Sequence, residues 1–309
     1  MARSKRTFLF QLARGSDLSS RSVKDTALAW TLLLPTLAIL GLFVFYPAVE
    51  SFFLSLHEVD AFSTKKVFIG LDNYKMLLVS PEYWQSLQNS VMFTIMTVVP
   101  SVVLSLAAAV GLDANPYFRN LLRTIFLMPV AISSAMAAML WIFFYNPSSG
   151  YLNYLLELLH IDGPNWLGSG KWALPAVAIT TVWKDIGFNV IFFLAGLASI
   201  PTDVREAAAI DGANAWQRFW FVVLPMLAPT VLFVTVVSVI NSFQSFGQIH
   251  ILTQGGPAGA TNVMVYNLYR DAFQNFQTGS ASAQAVILFI VMLAATAVQF
   301  TVAKRQIRS

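Results

Sequence analysis

Residues 201 to 229 read PTDVREAAAIDGANAWQRFWFVVLPMLAP and form the most charged stretch in the second half of an otherwise apolar chain. Asp203, followed three residues later by Glu206, predicts a capping box that opens a short helix. Gly212 can end that helix in a left-handed conformation, and Asn214 can cap a second helix. The stretch therefore predicts two short helices joined by a bend.

The composition indicates a membrane protein. Of the 309 residues, 57% are hydrophobic and only 11% are charged, which is too apolar for a soluble domain of this length. The chain has no cysteine, and its three histidines, His57, His160 and His250, share no local ligand spacing. We therefore expect a polytopic membrane protein with no metal or other cofactor of its own.

The distribution of apolar segments predicts an all-α protein with six transmembrane helices. A hydrocarbon core of about 30 Å takes about 20 apolar residues to cross. Such segments lie near 27 to 49, 89 to 112, 122 to 145, 226 to 249 and 283 to 303, and a sixth near 173 to 200 is interrupted by Lys184 and Asp185.

Basic residues predict which side of the membrane each loop occupies. They concentrate before the first span, beside Arg119 and Arg123, in the loop at 201–225 and after the last span, so these parts are expected in the cytoplasm. The predicted organisation is a cytoplasmic tail at 1–26, a transmembrane domain at 27–303 and a second cytoplasmic tail at 304–309.

The segments on the other side carry their own features. Residues 57 to 87 mix aromatic and charged side chains, which favours an interfacial helix. Residues 146 to 172 and 253 to 261 are rich in glycine and proline and predict turns. Gly168-Ser169-Gly170-Lys171 lacks the remaining residues of a phosphate-binding loop, so ATP would have to be bound by another polypeptide.

The loop at 201–225 resembles a motif of the permeases of binding-protein-dependent ABC importers. Glu206-Ala207-Ala208 precedes Gly212 by three residues, and nine more lead to Val222 and then to Leu224-Pro225. The wider chain is similar to the sugar-transporter branch, the MalF-like and UgpA-like permeases. The resemblance implies the type I, MetI-like permease fold and a site in the bacterial inner membrane.

In that family the loop is a coupling helix that sits in a cleft of the ATP-binding subunit. The resemblance implies that the coupling residues are Glu206, Ala207, Ala208, Asp211 and Gly212. It also implies a second, MalG-like or UgpE-like permease subunit, two ATP-binding subunits that hold ATP and Mg²⁺, and an extracytoplasmic solute-binding protein. Neither a nucleic acid partner nor enzymatic activity of this chain is expected. The residues alone would also fit an ordinary capped loop.

Two polar faces predict a solute cavity. Helical spacing places Thr181, Lys184, Asp185 and Phe188 on one face of the fourth span, and the same spacing recurs in Ser238, Asn241, Ser242 and Ser245 of the fifth. Hydroxyls, an amide and an aromatic ring suit a neutral sugar or polyol, and in MalF-like permeases these faces line the pathway. Small hydroxyl residues also join transmembrane helices, so packing is the alternative.

The pair Lys184-Asp185 departs from the maltose-type site, which is uncharged there. Either the two side chains form an internal salt bridge, or the solute is charged or differently shaped. A secondary transporter driven by an ion gradient, with this pair as its coupling residues, is the rival function. The sequence offers no nucleophile or metal motif for a membrane enzyme. It leaves open the solute and whether the second permease is identical.

Overall fold

The computed structural model of the protein describes residues 25–60, 65–114 and 124–308. Almost all of the predicted tail at 1–26, together with Arg119 and Arg123, lies outside these residues. The described chain divides into two units, the first ending at Leu54 and the second beginning at Ser55.

In its described residues the first unit is a single helix, α1 (Asp25–Leu54), which includes one π-helical turn at Gly41–Phe45. Its apolar side chains are exposed on every face. A helix that is apolar all round is suited to lipid or to the core of a larger assembly. Its length of 30 residues is more than enough to span the hydrocarbon core.

The second unit opens with a short antiparallel hairpin. Strand β1 (His57–Val59) pairs with β2 (Lys66–Phe68), and helix α2 (Asp72–Val79) follows. The side-chain amide of Asn73 donates to the backbone oxygens of Ser55 and of the first residue of β1, at 2.9 and 3.0 Å. These two bonds fasten α2 to the hairpin.

The single interfacial helix expected over residues 57 to 87 is therefore wrong. Gly70 has a φ of +61°, a conformation that favours glycine and ends the strand region before α2. Pro81 then begins the next helix, as proline often does because the first helical N–H needs no partner within the helix. Local breaks divide the segment into a hairpin, a short helix and the start of a span.

Three long helices run through the second unit: α3 (Pro81–Ala114), α7 (Ala173–Ala198) and α13 (Thr278–Arg308). Helix α3 packs along α7, where Ser105 donates to the backbone oxygen of Ile186 at 3.1 Å. Small residues allow such close approach between helices in a membrane. The core on this interface is formed by Ala109, Leu112, Val190, Phe193, Leu194 and Leu197.

Two further spans are bent pairs of helices. The first pair is α4 (Thr124–Ala131) and α5 (Ser134–Tyr145), bent by 109°, and the second is α9 (Ala215–Met226) and α10 (Ala228–Phe243), bent by 67°. Proline lies at each bend, at Pro129 and Pro229, and removes a helical hydrogen bond. Within the described residues, four helices are long and apolar enough to span, or six with each bent pair as one span.

Short helices complete the end of the unit opposite the C-termini of α3 and α7. They are α6 (Tyr151–Leu158), α11 (Gly247–Leu252) and α12 (Met264–Tyr269), the last running into a π-helical turn at Arg270–Gln274. The side chain of Asn89 on α3 donates to the backbone oxygens of Gly259 and Asn262 at 2.9 and 3.0 Å. The turn-rich segment predicted at 253–261 is thereby held against α3.

Candidate coupling surface and solute cavity

The loop at 201–225 contains the two short helices that its sequence predicts. Helix α8 (Thr202–Ile210) precedes the bend, and α9 begins at Ala215. The capping box is displaced, however, because Pro201 occupies the cap position of α8 and Asp203 lies inside its first turn. A true capping box opens α9, where the side chains of Asn214 and Gln217 each accept from the other's backbone N–H at 2.9 Å.

Gly212 forms the bend. Its φ is +82°, its N–H donates to the oxygen of Ala209 at 3.1 Å, and the N–H of Ala213 donates to the oxygen of Ala208 at 3.1 Å. This pair of bonds is a Schellman motif, in which a left-handed residue satisfies the last carbonyls of a helix. The left-handed conformation of this turn favours glycine, because glycine has no Cβ to oppose a positive φ.

Arg205 anchors α8 to the rest of the unit. Its Nη1 lies 2.6 Å from Oδ2 of Asp113, near the end of α3, and its Nη2 donates to the backbone oxygen of Leu197, near the end of α7, at 2.7 Å. The carbonyls in the last turn of a helix lack partners within it, and a cation there is favourable. We call Arg205, Asp113 and Leu197 the arginine clamp.

The face of α8 away from Arg205 is exposed. Helical spacing places Asp203, Glu206, Ala207 and Ile210 on that face. All four are exposed, and Ile210 retains 87% of its accessible surface. Of the predicted coupling residues, Glu206, Ala207, Asp211 and Gly212 are exposed, whereas Ala208 is half-buried. This face of α8 therefore combines an apolar side chain with the carboxylates of Asp203 and Glu206, as in amphipathic helices that dock into a groove.

Polar residues from α7 and α10 line a cavity of about 140 Å³. The predicted residues that it brings together are Lys184, Asp185, Phe188, Ser238 and Asn241. Asn189 and Val130 also line it, and neither was predicted. Asn189 donates to the hydroxyl of Ser238 at 3.4 Å, which links the two helices at the cavity wall.

Thr181 and Ser242, which the sequence also predicts to line the cavity, form hydrogen bonds elsewhere in the fold. Thr181 is buried and donates to the backbone oxygen of Val177 at 2.9 Å. Ser242 is buried against α3, with its hydroxyl 3.0 Å from those of Thr94 and Thr97. Thr181 bonds within its own helix, α7, whereas Ser242 bonds across to α3, which is the contact expected of a residue that joins helices. Neither residue lines the cavity.

Ser245 does not share the helical face of Ser238 and Asn241. Helix α10 ends at Phe243, and Ser245 lies in the turn before α11, where its hydroxyl donates to Gln248 at 3.3 Å. The expected spacing required the helix to continue through Ser245. That helix ends early because a turn at Gln244 redirects the chain into α11.

Lys184 and Asp185 do not form the internal salt bridge that one interpretation of the sequence required. No ion pair or hydrogen bond joins either side chain to any residue in the described ranges. Both side chains are half-buried and face the cavity. Lys184 and Asp185 therefore both contribute charged groups to the wall of the cavity.

Comparison with known proteins identifies the family. Residues 101–308 match the profile of the "binding-protein-dependent transport system inner membrane component" family. The chain belongs to this family. As a permease of this kind it is the membrane-embedded component of a transport system, and the resemblance found in the loop motif is confirmed.

Relatives of the permease extend the match over nearly its whole length. The sn-glycerol-3-phosphate transport system permease protein UgpA of Agrobacterium fabrum is 39% identical over 283 residues, which cover 91% of this chain and 96% of the relative. UgpA of Pectobacterium atrosepticum is 34% identical over 291 residues, covering 94% and 98%.

Solved structures establish the fold of the permease. A chain of a bacterial ABC transporter involved in the import of the acidic polysaccharide alginate superimposes with a TM-score of 0.78 at 24% identity, covering 92% of this chain and 98% of that one. The inward-facing MetNI methionine ABC transporter matches with a TM-score of 0.53 at 16% identity, covering 76% and 98%. The predicted MetI-like fold is confirmed.

Proposed function

We propose that the permease forms, with a second permease subunit, the solute pathway of an ATP-driven importer in a bacterial inner membrane. The solute is a carbohydrate or polyol. The observation that carries this proposal is the cavity, where amide, hydroxyl and aromatic side chains converge between apolar helices. Such groups are costly in lipid unless they face protein or water, and they suit a hydroxylated solute. The UgpA relatives are named for sn-glycerol-3-phosphate.

The exposed face of α8 is the proposed contact with an ATP-binding subunit. Glu206, Ala207, Asp211 and Gly212 are accessible to a partner, and helix-in-groove docking uses a short amphipathic helix of this kind. Two ATP-binding subunits would hold ATP and Mg²⁺, and their closure would move α8. The arginine clamp would carry that movement to α3 and α7, which form the core beside the cavity.

The orientation follows from the same assignment. If α8 meets the ATP-binding subunit, then α8 and the described end of α13 lie on the cytoplasmic side. The basic residues in the sequence of the tail at 1–26 independently favour the same side for that tail. The hairpin, α6, α11 and α12 then face outward, where a solute-binding protein would dock. ATP and the loaded binding protein would shift the complex between inward and outward access through their different affinities for the two states.

Copurification from native membranes tests the proposal. The permease and its attached subunits are reconstituted in vesicles, and ATP hydrolysis and solute uptake are measured with candidate binding proteins loaded with different sugars and polyols. Hydrolysis stimulated by one loaded binding protein, with uptake of its solute, supports the importer. Uptake that requires no ATP and follows a proton or sodium gradient would instead establish the ion-coupled transporter, with Lys184 and Asp185 as the coupling pair.

A further inference from the structure

A second cavity, of about 740 Å³, lies where the first turns of α3 and α13 meet the hairpin and α2. We call it the hairpin cavity. The close approach of α13 to the hairpin depends on Gly279, where a Cβ would overlap the backbone oxygen of His57. The volume falls within the range of ordinary ligand pockets, roughly 300 to 1,000 Å³. The hairpin cavity shares no lining residue with the cavity at Lys184, so it is a separate site.

The polar wall of the hairpin cavity is acidic. Its described lining includes no lysine, arginine or histidine and four carboxylates, those of Glu58, Asp72, Glu82 and Asp271. Asp72 pairs with Lys75 at 2.7 Å, and Glu82 pairs with Arg270 at 2.8 Å. Glu58 and Asp271 form no ion pair with any other described residue. The wall therefore carries two negative charges that favour a cation in the cavity.

Neutral donors fix the carboxylate of Asp271 in this wall. The hydroxyl of Ser280 donates to its Oδ2 at 3.1 Å, and the amide of Asn275 donates to its Oδ1 at 2.9 Å. Gln284 also donates to Oδ2 and is itself held by Asn267, whose amide donates to Gln284 at 3.0 Å. These bonds orient the carboxylate without neutralising its charge, as supporting contacts do at a preorganised binding site.

A buried hydroxyl in the same wall is available to a donor from outside the fold. Tyr83 lines the hairpin cavity and retains 3% of its accessible surface. Its hydroxyl is buried and has no hydrogen-bond partner among the described residues. Buried polar groups in native proteins are almost always hydrogen-bonded, and the phenolic oxygen can accept a hydrogen bond. A ligand that donates would satisfy it.

We infer that the hairpin cavity binds an organic cation with primary ammonium groups, of the size of a short aliphatic diamine. An ammonium group has three donors and no acceptor, which matches a wall of carboxylates and an accepting hydroxyl. Phe276 is 56% exposed and also lines the cavity, and an aromatic ring attracts a cation to its face.

The arrangement favours an organic cation over a metal ion. The described residues contain no group of three or more acidic or histidine side chains placed to hold a metal. The two carboxylates without a counter-charge belong to different elements, Glu58 to β1 and Asp271 to the π-helical turn before α13. A diamine has one ammonium group for each of them, and its binding would link the hairpin to that turn.

Equilibrium dialysis of radiolabelled putrescine tests the inference. The permease is purified with its attached subunits and studied without a binding protein, and butanediol is the neutral match for the diamine. Putrescine is expected to bind at least about tenfold more tightly than butanediol. Butylamine, with one ammonium group, should bind less tightly than putrescine. Equal binding of putrescine and butanediol, or no binding of putrescine, overturns the inference.

Substitutions of the two unpaired carboxylates locate the site. Asp271→Asn should weaken putrescine binding by about tenfold to a hundredfold, the range for losing a charged hydrogen-bond partner. Glu58→Gln should weaken it by up to about fivefold, because the side chain is exposed. Glu157→Gln is the control, since it removes an exposed carboxylate outside the cavity, and it should leave the affinity unchanged.

Tyr83→Phe distinguishes a ligand contact from a structural role. Removing an unsatisfied hydroxyl should not lower the melting temperature of the permease, whereas losing its bond to the amine should weaken putrescine binding by about tenfold. Glu58→Gln and Tyr83→Phe keep the test decisive if Asp271→Asn disturbs the bonds to α13. Putrescine affinity that survives both of these substitutions overturns the site. These measurements do not involve ATP or uptake, so their failure leaves the proposed importer intact.

Discussion

Breaking the arginine clamp should uncouple ATP hydrolysis from solute uptake. Arg205→Ala removes both the ion pair with Asp113 and the hydrogen bond to the backbone oxygen of Leu197. Helix α8 keeps its exposed face, so it should still meet the ATP-binding subunit. Its attachment to α3 and α7 is lost, and movement of α8 would no longer be transmitted to the helices that form the cavity.

The expected size of the effect comes from the two contacts. The side chains of the ion pair are 29% and 26% exposed, so we take about 1 kcal/mol, the upper end of the range for exposed pairs. The bond from a charged donor to the Leu197 oxygen adds about 1.5 kcal/mol. Together, about 2.5 kcal/mol corresponds to a loss of up to about 60-fold in the population with α8 held in place.

Solute imported per ATP hydrolysed, measured with the reconstituted complex, reports this population. We expect that ratio to fall by up to about 60-fold in Arg205→Ala, while hydrolysis itself persists. Arg218→Ala is the matched control, since Arg218 lies in the same loop and forms no ion pair with any other described residue.

A double-mutant cycle identifies the pair as the cause. If Arg205 and Asp113 act together, Arg205→Ala combined with Asp113→Asn should do little more harm than Arg205→Ala alone. Strictly additive effects, or a wild-type ratio of uptake to hydrolysis in Arg205→Ala, would refute the reasoning. The clamp would then be a surface contact without a role in transmission.

Three further pairs of substitutions have clear expectations. Gly212→Ala should reduce uptake more than Gly212→Asn when both variants are present in the membrane at equal amounts. The reason is that a left-handed backbone costs most L-residues about 1 to 2 kcal/mol, and asparagine tolerates it better. The opposite order would contradict the role of the bend. Gly187→Ala should lower the melting temperature of the complex, because the added Cβ would overlap the backbone of α4. Gly111→Ala is the control, since a Cβ at Gly111 meets no atom within 4 Å. Asn241→Ala should weaken solute affinity, and Ser242→Ala should lower the stability of the complex by about 1 kcal/mol. If Asn241→Ala instead lowered stability and Ser242→Ala weakened solute affinity, the roles given to the two residues would be wrong.

The sequence by itself was sufficient for features that depend on local chemistry. About 20 apolar residues are needed to cross the hydrocarbon core, so the apolar segments that form the four long helices and the two bent pairs are apparent from composition along the chain. The bend at Gly212 and the cap at Asn214 were likewise predictable, because a left-handed residue and a capping side chain act within one turn of a helix. The loop motif then identified the family.

Only the tertiary structure decided which polar residues share a cavity and what holds α8 in place. Helical spacing groups Asn241 with Ser242, yet the first lines the cavity and the second bonds to α3. Arg205 and Asp113 are 92 positions apart, and no local pattern pairs them. Periodicity determines which side chains lie on one face of a helix, but the partner of that face depends on how distant helices pack.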